Sequence, residues 1–147
     1  MKTFIKNKRI LFIIIYFFMS ISCKKDDDFH NVSIINTWKL ISVISTSDNQ
    51  TIVVPQDINI SIAFKDSSEV ICHSVCNSGY GRFTIKNDSL NIDCSLTKMA
   101  CPQGIEGIDW ESIIRSNIGL VRKYILSDEK LTLKTEGYYN LNFIIQK

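Results

Sequence analysis

Five cysteines and two histidines are the side chains of this 147-residue chain with the most chemistry to offer. Cys72, Cys76, Cys94 and Cys101 fall in one stretch, 72–102, while Cys23 stands apart. Thiolates bind metals, exchange electrons or close into disulfides, and their spacing decides which. No C-x-x-C pair is present, so neither a zinc half-site nor a thioredoxin-type redox motif is indicated. His73 follows Cys72 directly. On a strand, adjacent side chains point to opposite faces, so these two do not converge on one ion. No metal site and no cofactor are expected.

Catalysis finds little more. His30 lies in a polar, charged segment, and no nucleophile-elbow motif accompanies the many serines. Asp109 and Glu111 sit where a helix should begin, and acidic residues there are explained by the helix dipole. Without a convergent acid–base set, an enzyme is not expected. Trp38, Trp110, Tyr138 and Tyr139 are read as core or rim aromatics, with a binding surface as their other use.

The N-terminus assigns Cys23 its own role. Lys2, Lys6, Lys8 and Arg9 form a basic flank, Ile10 to Met19 is unbroken and apolar, and Ser20, Ile21 and Ser22 lead to the cysteine. A membrane-spanning helix needs about 20 apolar residues, so this is the pattern of a secretory signal. The junction resembles the lipobox of bacterial lipoproteins, in which the signal is cleaved before a lipid-carrying cysteine. Ser22 supplies the small residue before Cys23, and Ser20 stands where leucine is usual. The Lys24-Lys25-Asp26-Asp27-Asp28 run resembles the lysine-then-acidic export signal of some Gram-negative surface lipoproteins. The expectation is a signal peptide over 1–22, a lipidated charged tether over 23–33 and one domain over 34–147. It places the protein on the outer membrane of a Gram-negative cell, lipid-anchored and exposed at the cell surface. Removing residues 1–22 takes away four basic side chains and no acidic one, so the formal charge falls from +2 to −2. The mature chain then has no basic excess for nucleic acid.

The domain reads as short apolar alternations between turn residues, the pattern of an antiparallel β protein. Strands are expected over Thr37–Ile44, Asn59–Phe64, Glu69–Cys76, Arg82–Lys86, Ser89–Cys94, Leu120–Leu126, Leu131–Thr135 and Tyr139–Ile145. Pro55 marks an edge or loop. Asn77 to Gly81 is expected to turn, with Gly79 and Gly81 permitting positive φ. Ile85 is expected to point inward beside Phe83. One helix, Ile105 to Asn117, carries an apolar stripe with Asp109, Glu111, Ser112 and Arg115 mostly off it. The fold class is α+β, mainly β: a curved antiparallel sheet or incomplete barrel of about eight strands with one helix.

In an exported chain, four remaining cysteines suggest two disulfides. Four residues of strand hold Cys72 and Cys76 about 13 Å apart, beyond the roughly 7 Å of a bridge. Cys76–Cys101 with Cys72–Cys94 and Cys72–Cys101 with Cys76–Cys94 both remain open, and a plain meander favours the second.

Three groups of residues together resemble a known family. They are Trp38-Lys39-Leu40, then Cys76-Asn77 with Gly79, Gly81 and Phe83, then Thr97-Lys98-Met99-Ala100-Cys101-Pro102. Trp110-Glu111, Tyr124 and Leu131-Thr132-Leu133 follow in the same order. The family is the META domain, also called HslJ-like, and the resemblance spans about Ile34 to Ile145. Val75 stands where the family commonly has glycine, and Cys72 and Cys94 are additional. The resemblance implies a Cys76–Cys101 bridge, which leaves Cys72–Cys94. It also implies an envelope protein associated with stress or antibiotic tolerance, with no catalytic residues to carry over. The function expected is a non-enzymatic, lipid-anchored, disulfide-stabilised envelope domain. It is structural, stress-protective or protein-binding, and monomeric, with the membrane and an envelope protein as partners. The alternative is a small-ligand carrier that uses the interior of the barrel, as lipocalins do.

Overall fold

The structure, a computed structural model, describes residues 33–100 and 109–146. Nine strands form one antiparallel sheet: β1 (Thr37–Ser45), β2 (Thr51–Val53), β3 (Ser61–Phe64), β4 (Glu69–His73), β5 (Ser78–Lys86), β6 (Ser89–Leu96), β7 (Val121–Ser127), β8 (Lys130–Thr135) and β9 (Tyr139–Ile145). The order is β2-β1-β3-β4-β5-β6-β7-β8-β9, and β1 also pairs with β9 along its whole length. Eight strands therefore close into a barrel, with β2 as an extra strand beside the second half of β1. The curved antiparallel sheet expected from the sequence is present, and it closes on itself. Its narrowest seam is β6–β7, where Ser89 pairs with Lys123 alone and the Ser89 hydroxyl donates to the Arg122 carbonyl at 3.1 Å.

Alternation builds the core. Trp38, Leu40, Leu90, Leu131, Leu133, Leu141 and Phe143 are all buried from the inner face of their strands. The Trp38 indole N–H donates to the Ile34 carbonyl at 2.8 Å, which satisfies its polar atom inside the core. Phe64 and Phe83 meet edge to face, centroids 5.0 Å apart.

The two ends of the barrel differ. The tight β3–β4, β5–β6 and β7–β8 hairpins share one end, and Ser68, Asn87 and Asp128 take left-handed conformations in them. The chain enters β1 and leaves β9 at this same end. The longer connections gather at the other, including α1 (Trp110–Asn117) and the 3₁₀ turn Ile118–Leu120 that leads into β7. Asp109 caps the helix by accepting from the Ser112 amide at 3.0 Å. The expected helical residues 105–108 lie outside the described residues.

Three local expectations are corrected. The strand from Glu69 ends at His73 rather than Cys76, and Ser74–Asn77 form the turn. Gly79 and Gly81 are not turn residues but lie inside β5. A Cβ on Gly81 would run into the Asp93 carbonyl of β6, and one on Gly79 would come within 2.7 Å of the Ser95 carbonyl. Glycine is there because β6 crowds β5, not because the backbone turns. Ile85 shares parity with Phe83 yet is exposed, since it lies at the hairpin end of β5.

Candidate functional site

At the loop end, one residue ties the turn before β5 to the segment that follows β6. Asn77 is 2% exposed and closes the turn that begins at Ser74. Its Oδ1 accepts from the Thr97 hydroxyl at 2.7 Å and the Met99 amide at 2.8 Å, and its Nδ2 donates to the Met99 carbonyl at 3.2 Å. The Asn77 carbonyl accepts from both the amide and the hydroxyl of Ser74, at 2.8 and 3.0 Å. The Ser78 amide donates to the Thr97 hydroxyl oxygen at 3.2 Å. Irregular backbone after β6 is thereby satisfied without extending the sheet.

The helix joins this lock through Glu111. This residue was expected off the apolar stripe but is buried. Its carboxylate accepts from Arg115 Nη2 at 3.1 Å and from the Cys76 amide at 3.5 Å, and the same Arg115 nitrogen donates to the Thr97 carbonyl at 3.3 Å. Burial, the largest single effect, pushes the Glu111 carboxyl up. Hydrogen bonds from Ser74, Arg115, the Cys76 amide and Asn77 outweigh it and hold the carboxyl below its ordinary value.

A second buried amide works at the far end of the helix. Asn117 is fully buried, and its Nδ2 donates to the Ile113 carbonyl at 2.7 Å. Its Oδ1 accepts from the Tyr139 amide at 2.9 Å and the Thr135 hydroxyl at 3.5 Å. These bonds tie the helix to the β8–β9 turn. Glu111 and Asn117 were not singled out from the sequence as lock residues. Both are polar groups on a helix otherwise buried through Trp110, Ile113 and Ile114.

The cysteines divide. Cys76 is disulfide-bonded, while Cys101, Cys23 and His30 lie outside the described residues. Cys72 and Cys94 are free thiols rather than the expected bridge. They belong to second-neighbour strands: Cys72 pairs with Gly79, and Cys94 with Gly81, across β5. Because both β5 residues lack side chains, the two thiols can approach each other over the middle strand. A Cβ on Gly79 would come within 2.9 Å of Cys94 Sγ. The contact splits their acidities. The Cys72 thiol, hydrogen-bonded to Cys94 and buried, is pushed far up, and Cys94 is lowered chiefly by accepting from Cys72. His73 faces outward, as its place on the strand predicts, with Nδ1 2.9 Å from the Ser78 hydroxyl. Among the described residues, no group of three or more His, Cys, Asp or Glu could hold a metal ion.

The Asn77 lock joins the Cys76-Asn77 and Thr97-Lys98-Met99 segments. The META domain profile matches residues 32–147. The chain belongs to the META domain family. Solved structures support the same fold for this META domain. An NMR structure of a protein from Burkholderia xenovorans has a TM-score of 0.62 at 19% identity, covering 77% of this chain and 83% of its own. A crystal structure of a DUF4847 family protein from Bacteroides vulgatus ATCC 8482 has a TM-score of 0.56 at 15% identity, covering 80% and 96% respectively. Among curated proteins nothing matches. At these identities the likeness concerns the fold of the META domain alone.

Proposed function

We propose that this META domain is a non-enzymatic envelope module, anchored to the outer membrane through lipid on Cys23, that docks another envelope protein with its loop end. The observation that carries this reading is where apolar surface is and is not free. The barrel interior is filled by its own large side chains, Trp38, Phe64, Leu131 and Phe143 among them, as small barrels commonly are. That argues against the carrier alternative. Outside, Val75, Met99 and Tyr138 are exposed on loop-end segments, Tyr138 to 78%. The chain enters β1 at the hairpin end, the opposite end of the barrel from these three residues.

The bonded state of Cys76 supports an oxidising compartment, and Cys101 is the partner proposed for it. Such a bridge would close a loop of about 25 residues, for which the chain-entropy relation gives about 3 kcal/mol. A stress-protective role follows naturally for a rigid, stapled scaffold. The chain is proposed to act as a monomer.

The test has two arms. Mass analysis of the mature protein should find Cys23 as an acylated N-terminus, with Cys23→Ser releasing the domain from the membrane fraction. A photo-crosslinking residue at Tyr138 should trap one discrete envelope protein in living cells, and Met99→Asp should abolish the product without lowering the melting temperature. An unacylated mature chain sinks the anchor. Crosslinks that Met99→Asp leaves unchanged sink the docking face.

A further inference from the structure

We propose that Cys72 and Cys94 form a two-sulfur site for a soft monovalent cation of the Cu(I) class. This goes beyond the envelope reading and does not depend on it. Three observations carry it. Both donors are free thiols, and Cys94 Sγ lies over Gly79, the residue that pairs with Cys72. Nothing separates them, because the β5 residues that pair with them are Gly79 and Gly81. Cys76 is disulfide-bonded, whereas Cys72 and Cys94 are both free to act as ligands.

The chemistry follows from the donor set. The two thiols approach each other over a stretch of β5 that has no side chains, which leaves room for a cation that accepts two ligands in a line. Binding releases both thiol protons and forms two metal–sulfur bonds. The site then carries a net charge of −1, and nothing is oxidised or reduced. Zinc asks for four ligands. Here His73 faces outward, and no third His, Cys, Asp or Glu joins the pair among the described residues. Soft thiolates with too few partners for zinc select Cu(I). Cys94, only partly buried, offers the entry, and Cys72, 2% exposed, is the inner ligand. The bare glycines thus serve two ends, close passage of β6 and an open line between the sulfurs.

The test uses the full chain, purified without oxygen, with free thiols first counted by labelling. Ascorbate keeps copper as Cu(I) and leaves disulfides intact, and a chromogenic Cu(I) chelator competes for the metal. The expected result is one Cu(I) per chain, bound with sulfur-only coordination by X-ray absorption. Cys94→Ser and Cys72→Ser should each weaken binding by at least the ~100-fold that loss of an outer-shell partner can cost. Zinc should not displace the copper. The absorption measurement needs no variant, so misfolding of Cys72→Ser does not blunt the test. Three results overturn the proposal: nitrogen or oxygen in the coordination sphere, unchanged affinity in Cys94→Ser, or a Cys72–Cys94 disulfide in protein isolated without reductant.

Discussion

The Asn77 side chain and the Thr97 hydroxyl share a 2.7 Å hydrogen bond across 20 positions of sequence. That bond joins the turn before β5 to the segment after β6. It also predicts the cost of breaking it. Asn77→Ala removes the side-chain hydrogen bonds to Thr97, Met99 and Cys76 and leaves the buried groups that faced it without that partner. A single orphaned buried group costs about 1–3 kcal/mol. We expect a loss of about 2–4 kcal/mol in chemical denaturation, since solvent should reach some of the freed groups. Thr97→Val, which removes only the hydroxyl, should lose less. Equal stability in Asn77→Ala and the parent would refute the lock.

The β5 glycines make a steric prediction. Gly81→Ala would drive its methyl into the Asp93 carbonyl and the Cys94 backbone. Overpacking costs about 1–3 kcal/mol where side chains can yield, and backbone yields less readily. We expect Gly81→Ala to be the more damaging and Gly79→Ala the milder, since Leu96 Cδ2 and Cys94 Sγ are among the atoms that the Gly79 methyl would meet. Gly119→Ala meets nothing within 4 Å and serves as the control. Thermal melts of the three variants check the order.

Glu111 makes stability depend on pH. Its folded carboxyl is held below the ordinary 4.5, so the unfolded chain binds the proton more readily. The stabilisation is present above the unfolded value and is lost as pH falls through the lowered folded value. Denaturation midpoints should therefore decline with acid from the ordinary glutamate range downward, and Glu111→Gln should flatten that decline. Parallel curves for the two proteins would remove Glu111 from the account.

Much of this fold was legible because alternation is local. Ile58, Ile60, Ile62 and Phe64 are buried in turn, as are Leu141 and Phe143, and the Asn87-Asp88 hairpin turns where its composition says. Barrel closure was not legible, because β1–β9 pairing joins the ends of the domain and leaves no local signature. Gly79 and Gly81 were misread for a related reason. A glycine needed for close approach and one needed for a turn look identical in sequence, and only the neighbour, here β6, separates them. Glu111 was misplaced because periodicity assigns charge to water, whereas its partners Arg115 and the Cys76 amide allow burial. The Cys72–Cys94 contact depends on both: a middle strand, and its missing side chains.

The second lock is best tested through its neighbour. A Cβ on Gly137 would overlap Asn117 Oδ1 and come within 3.2 Å of Leu120. In the parent, Gly137→Ala must push the amide away from the Tyr139 amide and the Thr135 hydroxyl that it serves. Asn117→Ala alone loses those bonds but clears the space. Combining the two should cost distinctly less than their sum, with a coupling of about 1–2 kcal/mol, within the range for residues in direct contact. The cycle needs only denaturation curves for four proteins. Additive losses would mean that Gly137 is held by something other than Asn117. Strong coupling would show that one buried amide fixes both the helix end and the turn that carries Tyr138, so the loop end would be a rigid surface rather than a set of independent loops.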